Sequence, residues 1–139
     1  EKLLAYSDDF EMVFGSRTHR PLLQKGSDMT LLKRIGDVLL AKLVNLLFLC
    51  YPLTDLGCTY RLTHRKSWCK IARRCKSNDG LLATEWVLVA AKDKINFIEI
   101  PVRFKGRVGE STLSNTSLKR IFWGIRKFFC IWKVRFIYG

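Results

Sequence analysis

The chain has 139 residues, enough for one ordinary domain with a real core, and 48% of them are hydrophobic, which excludes a disordered polar chain. Its formal charge of +13 points to an anionic partner. Charge alone does not choose among nucleic acid, a phosphorylated substrate and an acidic membrane face.

Residues 1–7 (EKLLAYS) read as the end of a helix, with Asp8 and Asp9 as its exit turn, and 11–15 (EMVFG) as a short buried strand. The chain opens without methionine or signal peptide and runs straight into secondary structure, as the inside of a domain would; a fragment is the expectation. Arg17, His19, Arg20, Pro21, Lys25 and Gly26 make 17–29 a basic loop. Asp28 or Thr30 can cap a helix over 31–50. Leu31, Leu32, Ile35, Val38, Leu39 and Leu43 fall on one side of it, and its later half (LVNLLFLC) is apolar nearly all round. A membrane span needs about 20 apolar residues, and Asp37, Lys42 and Asn45 interrupt this run. A buried core helix, or one lying partly against a membrane, fits better.

Pro52 stops that helix, Thr54-Asp55-Leu56-Gly57 is a turn, and 58–63 (CTYRLT) forms a short strand. A basic helix over 65–76 turns Trp68 and Ile71 inward, and Ser77-Asn78-Asp79-Gly80 is a turn. The helix over 81–92 has Trp86, Val87, Val89 and Ala90 apolar and Glu85 near its start. A strand follows over 95–102, where Pro101 marks an edge or a bend. It leads into Arg103, Lys105 and Arg107, then Gly109 and Ser111. Cations, a glycine and a hydroxyl in one loop suit an anion such as phosphate, or else form a basic, solvated hairpin end.

Ser114-Asn115-Thr116 can cap a last helix over 117–138. Leu118, Ile121, Phe122, Ile125, Phe128, Phe129, Trp132 and Phe136 lie on one face at three-and-four spacing, as a face packed on the domain would. Lys119, Arg120, Arg126, Lys127, Lys133 and Arg135 spread over the rest, mixed with Trp123, Ile131 and Val134. Trp123 and Ile131 outside the apolar face favour an interfacial membrane helix. Helices and strands in this order make the chain α/β rather than all-α. The five cysteines carry no CxxC; Cys50 and Cys130 sit in hydrophobic runs as buried thiols do, which suits a reducing compartment. Cys58, His64, Cys69 and Cys75 match no common zinc spacing.

Four blocks together resemble the C-terminal half of a family 2 glycosyltransferase, closest to the polyprenyl-phosphate sugar transferases such as the dolichol-phosphate mannosyltransferases. Val13-Phe14-Gly15-Ser16-Arg17 resembles the family's V-I-G-S-R strand end. Thr54-Asp55-Leu56-Gly57-Cys58-Thr59-Tyr60-Arg61 resembles its D-x-x-S/T-G-F-R region, with the spacing between Gly57 and Arg61 departing by a residue. Glu85 lies where a helix glutamate is usual. Ile98-Glu99-Ile100-Pro101-Val102 through Arg107-Val108-Gly109-Glu110-Ser111 resembles I-x-E-V-P-V…R-x-x-G-x-S, although Thr112-Leu113 replaces the lysine often found after the serine.

The resemblance implies the C-terminal portion of a GT-A, Rossmann-like nucleotide-diphospho-sugar transferase fold: a partial catalytic domain over 1–113 and an amphipathic interfacial helix over 114–139. It implies transfer of a sugar from a nucleotide-sugar donor to a polyprenyl phosphate or other lipid-linked acceptor, at the cytoplasmic face of a membrane and with no nucleic acid involved. Arg107 and Ser111 would contact phosphate, and Arg17 would line the same cleft from the facing loop. Asp55 would be the general base or would orient the acceptor; an acceptor phosphate is already ionised near neutral pH, so positioning outweighs proton removal. The family's nucleotide-binding half, and the D-x-D that grips Mg²⁺ or Mn²⁺, are not in this sequence, and Asp8-Asp9 is expected to be only a turn. The chain alone is therefore expected not to turn over a nucleotide sugar. The alternative is a non-catalytic basic module that binds anionic membrane or nucleic acid.

Overall fold

The computed structural model describes residues 2–24, 27, 29–105 and 117–138. Over them the chain forms β1 (Met12–Ser16), α1 (Leu31–Phe48), β2 (Arg61–Thr63), α2 (Arg65–Arg74), α3 (Leu82–Lys92), β3 (Phe97–Pro101) and α4 (Ser117–Phe136), with single 3-10 turns at Leu4–Tyr6 and Arg20–Leu22. This is a mixed α/β fold of four helices and one three-stranded sheet among the described residues. The helix expected over 1–7 shrinks to one 3-10 turn, and the strand expected over 58–63 to its last three residues.

β1 is the middle strand, buried throughout. It runs antiparallel to β2, with Val13 opposite Leu62, and parallel to β3, with Phe14 opposite Glu99. β3 lies on an edge, and Pro101 is its last residue, where a missing amide hydrogen does least harm. The period-two alternation divides the sheet into two faces. Met12, Phe14 and Phe97 join the main core with Ala41, Val44 and Phe48 of α1, the 87–91 stretch of α3, and Cys130, Ile131 and Val134 of α4. On the other face Val13 and Ile100 form a smaller cluster with Leu3.

The helix ends are satisfied by named groups. Thr30 Oγ1 accepts from the Lys33 amide at 3.3 Å and caps α1, one of the two caps expected. Its C-terminus stops at Leu49, which takes a left-handed conformation at φ 48°, and the Lys94 ammonium donates to the carbonyls of Phe48 (2.6 Å) and Leu49 (3.2 Å). Lys92 donates in the same way to the Val134 carbonyl at 2.9 Å, near the end of α4. The Tyr138 hydroxyl donates to Glu85, which is buried and also accepts from the amides of Lys76 and Ser77 at 3.0 and 2.7 Å.

The apolar stripe of α4 and the first half of that of α1 face away from the core, while Leu43 of the α1 stripe packs against it. In α1 the buried residues are Asp37, Ala41, Val44 and Phe48, while Leu31, Leu32, Ile35 and Leu39 are exposed. In α4, all eight residues of the stripe that sequence spacing assigned to packing are exposed, and Ile131, placed outside it, is fully buried. The cause is the narrowness of the seam. α3 already fills the centre of the core with a continuous buried run, so α1 closes over it with Ala41, Val44 and Phe48 and α4 with Cys130, Ile131 and Val134, leaving the rest of each helix outside. No helix among the described residues is long and apolar enough to cross a membrane.

Candidate functional site

Because β1 and β3 are parallel, their carboxyl ends open on the same edge of the sheet, the edge where open α/β sheets place their ligands. The chain continues this pairing past the strands: Leu23 bridges Phe104 in parallel, and Phe104 donates to the Leu22 carbonyl at 3.0 Å. Arg17 leaves the end of β1 with its guanidinium 5.4 Å from the centre of the Phe104 ring.

Arg17 is clamped by Asp55 of the 54–57 turn. Its Nε donates to Asp55 Oδ2 at 2.7 Å, its Nη2 to Oδ1 at 2.8 Å, and its own backbone amide to Oδ2 at 3.0 Å. The Gly57 amide adds a fourth bond, to Oδ1 at 2.9 Å. Asp55 is 0% exposed, and its four acceptor positions are filled. Burial alone would raise its carboxyl; the Arg17 guanidinium and the backbone amides outweigh burial and hold it below the usual carboxylate range. Burial would likewise weaken the charge on Arg17, and the bond to Asp55 more than restores it. In this arrangement all four acceptor positions of Asp55 are spent on Arg17 and Gly57. Arg17 Nη1 takes no part in the clamp, and the side chain keeps 14% exposure.

The turn that carries Asp55 is itself held from two sides. Asn45, which interrupts the apolar half of α1, places its side-chain amide against the backbone of Leu53. It donates to the Leu53 carbonyl at 3.2 Å and accepts from the Leu53 amide at 3.1 Å. Glu99 of β3 accepts from the amides of Thr54 (2.6 Å) and Asp55 (2.8 Å), one on each carboxylate oxygen. Burial pushes Glu99 up to about 7, against the pull of those two amides and with the Asp55 charge adding to the rise. Beside the clamp, the hydroxyls of Ser16, Thr18 and Thr54 form a closed triangle with sides of 2.7 to 2.8 Å.

A second ion pair closes over the same turn. Lys127 of α4 donates to Asp37 of α1 at 3.1 Å. A side-chain carbon built on Gly57 would stand 3.0 Å from Arg17 Nη2 and 3.1 Å from Lys127 Nζ, so only glycine lets both cations approach the turn this closely.

Of the expected site residues, Arg17 and Asp55 are brought together. Arg107 and Ser111 lie outside the described residues. The sequence reading missed Glu99, Lys127, Asp37 and Asn45 as parts of this site. Two of them carry a readable signal. Glu99 follows Phe97 at the period of two, which puts a carboxylate on the core face of a strand, and Asp37 opens the buried series completed by Ala41, Val44 and Phe48. Among the described residues no three His, Cys, Asp or Glu side chains come together as metal ligands. Compared with protein-family models, curated proteins and solved structures, the chain returns no match in any of the three.

Proposed function

We propose that the chain is the acceptor-side part of a membrane-associated glycosyltransferase of the GT-A fold, moving a sugar from a nucleotide sugar to a polyprenyl phosphate or related lipid-linked acceptor. The observation that carries this reading is the convergence of three family-like blocks on one point. Arg17 ends the G-S-R block, Asp55 lies in the T-D-L-G block, and Glu99 lies in the I-E-I-P-V block; all three meet at the 54–57 turn. In the full enzyme Arg17, oriented by Asp55, would present its guanidinium to a phosphate oxygen, with Arg107 and Ser111 supplying further contacts from the loop after β3. The acceptor phosphate is already an anion, so holding it in line matters more than removing a proton. Mg²⁺ or Mn²⁺ and the donor diphosphate would be held by residues outside this sequence. The outward apolar stripes of α1 and α4, studded with cations, suit the cytoplasmic face of a membrane, with any further anchoring supplied by segments outside this chain.

The same two stripes and the charge of +13 equally favour a second reading, a basic module that binds anionic membrane without catalysis. Bilayers matched in charge, with and without a polyprenyl monophosphate, separate the two. The transferase reading expects tighter binding to the bilayer that carries the polyprenyl phosphate, and loss of that preference in Arg107→Ala and Ser111→Ala. Equal binding to both bilayers, governed by salt alone, supports the module.

A further inference from the structure

Glu99 sits on the core face of β3, in register with Phe14 and one alternation after Phe97, where an apolar side chain would pack without cost. It spends its carboxylate on two consecutive amides, Thr54 at 2.6 Å and Asp55 at 2.8 Å. The second of those residues clamps Arg17. We propose that Glu99 is the positioning residue of this site, setting the 54–57 turn through both carboxylate oxygens and thereby the Asp55–Arg17 clamp, and that the clamp loosens when Glu99 takes up a proton. A carboxylate accepts an amide hydrogen on each oxygen, whereas a carboxylic acid turns one oxygen into a donor that must point away from the facing amide. Burial pushes Glu99 up to about 7, which brings the change into the neutral range. The charged and titratable groups around the turn, among the described residues, are Asp55 on the turn itself, Cys58 just after it, Arg17 from the end of β1, Arg61 from β2, Lys127 from α4 and Asp37 from α1. Arg17 pairs with Asp55 and Lys127 with Asp37, and Arg61 donates to the Cys58 carbonyl, so that among the described residues Glu99 is held by amides and by no ion pair.

Glu99 plays this part whichever anion the site binds, so the test needs no substrate. In amide-detected NMR of the 139-residue chain, the Thr54 and Asp55 amide protons and the Arg17 Nε proton are expected to move upfield together as pH falls, with a common midpoint of about 7. In Glu99→Gln, which keeps one acceptor oxygen but turns an NH₂ toward the other amide, that shared titration is lost. Amides that stay fixed from about pH 5 to about pH 9, or that move unchanged in Glu99→Gln, overturn the proposal. So does a titration of the two amides that leaves the Arg17 proton unmoved, because Glu99 would then hold the turn without setting the clamp. If Glu99→Gln does not fold, the wild-type Glu99 carboxyl carbon decides: the same midpoint as the amides supports the assignment, and a different one rejects it.

Discussion

Lys127 on α4 and Asp37 on α1 meet 3.1 Å apart across the seam between the two helices, directly over Gly57. The pair therefore ties the two helices together beside the turn that holds Asp55 and Arg17. Asp37 is only 7% exposed, and its second oxygen, Oδ2, has no partner among the described residues. Whatever moves α4 relative to α1 must move Lys127, and with it the ammonium that stands beside Gly57.

Removing one member of this pair should cost more than the pair contributes. Lys127→Met leaves Asp37 buried without its cation, and a loss of about 2–3 kcal/mol in urea unfolding is expected. Adding Asp37→Asn to that variant removes the stranded charge and should recover a large part of the loss. A double mutant no more stable than Lys127→Met would show that Asp37 is not stabilised by Lys127.

Gly57→Ala is expected to separate stability from binding. The new methyl would press on the ends of two flexible side chains rather than on backbone, so the fold should lose only about 1 kcal/mol. Arg17 and Lys127 must both give way, and affinity for a phosphate-bearing ligand should fall about tenfold, equivalent to about 1.4 kcal/mol. Gly15→Ala makes the contrasting case, because its methyl would meet Val102 Cγ2 at 2.9 Å in a packed region. There the expected effect is a lowered melting temperature.

The helix expected over 1–7 was not formed, whereas the mixed α/β class, the strand read at 11–15 and found at 12–16, the four α-helices and the Pro101 edge were legible from periodicity and turn chemistry. The direction of the two long helices was not. Three-and-four spacing reveals that a helix has an apolar face but not which face the rest of the chain covers, and here the stripe of α4 and the first half of that of α1 lie outside. The site was half legible for a related reason. Arg17 and Asp55 stand in conspicuous motifs, whereas Glu99 and Asp37 are charged residues within apolar patterns, and such residues read as interruptions until the fold supplies their partners.

Asp55→Asn should reveal the clamp through its pH dependence. The folded Asp55 carboxyl is held below its ordinary value, so its contribution to stability is complete above the unfolded value of about 4 and is lost as pH falls through the folded one. Near pH 7 the variant is expected to be about 2–3 kcal/mol less stable than the wild type, since the Arg17 guanidinium loses its counter-charge in a buried setting. The gap between the two melting curves should then narrow below about pH 4. A gap that stays constant to acid pH would mean that Asp55 acts through its shape and hydrogen bonds and not through its charge.

The outward stripes lead to a test that the fold itself makes clean. Leu39 on α1 is 62% exposed and Phe129 on α4 is 65% exposed, so aspartate at either position should leave the unfolding midpoint nearly unchanged. If both helices lie in a bilayer interface, each substitution forfeits the burial of a large apolar side chain, about 1.5–3 kcal/mol, and should weaken binding to phosphatidylglycerol vesicles about tenfold or more. Raising the salt concentration should weaken binding further, through the cations that flank the stripes. Because α1 and α4 contribute separate faces, the double substitution should lose close to the sum of the two single losses. Loss from Phe129→Asp but not from Leu39→Asp would assign the membrane to α4 alone and leave the face of α1 for another surface.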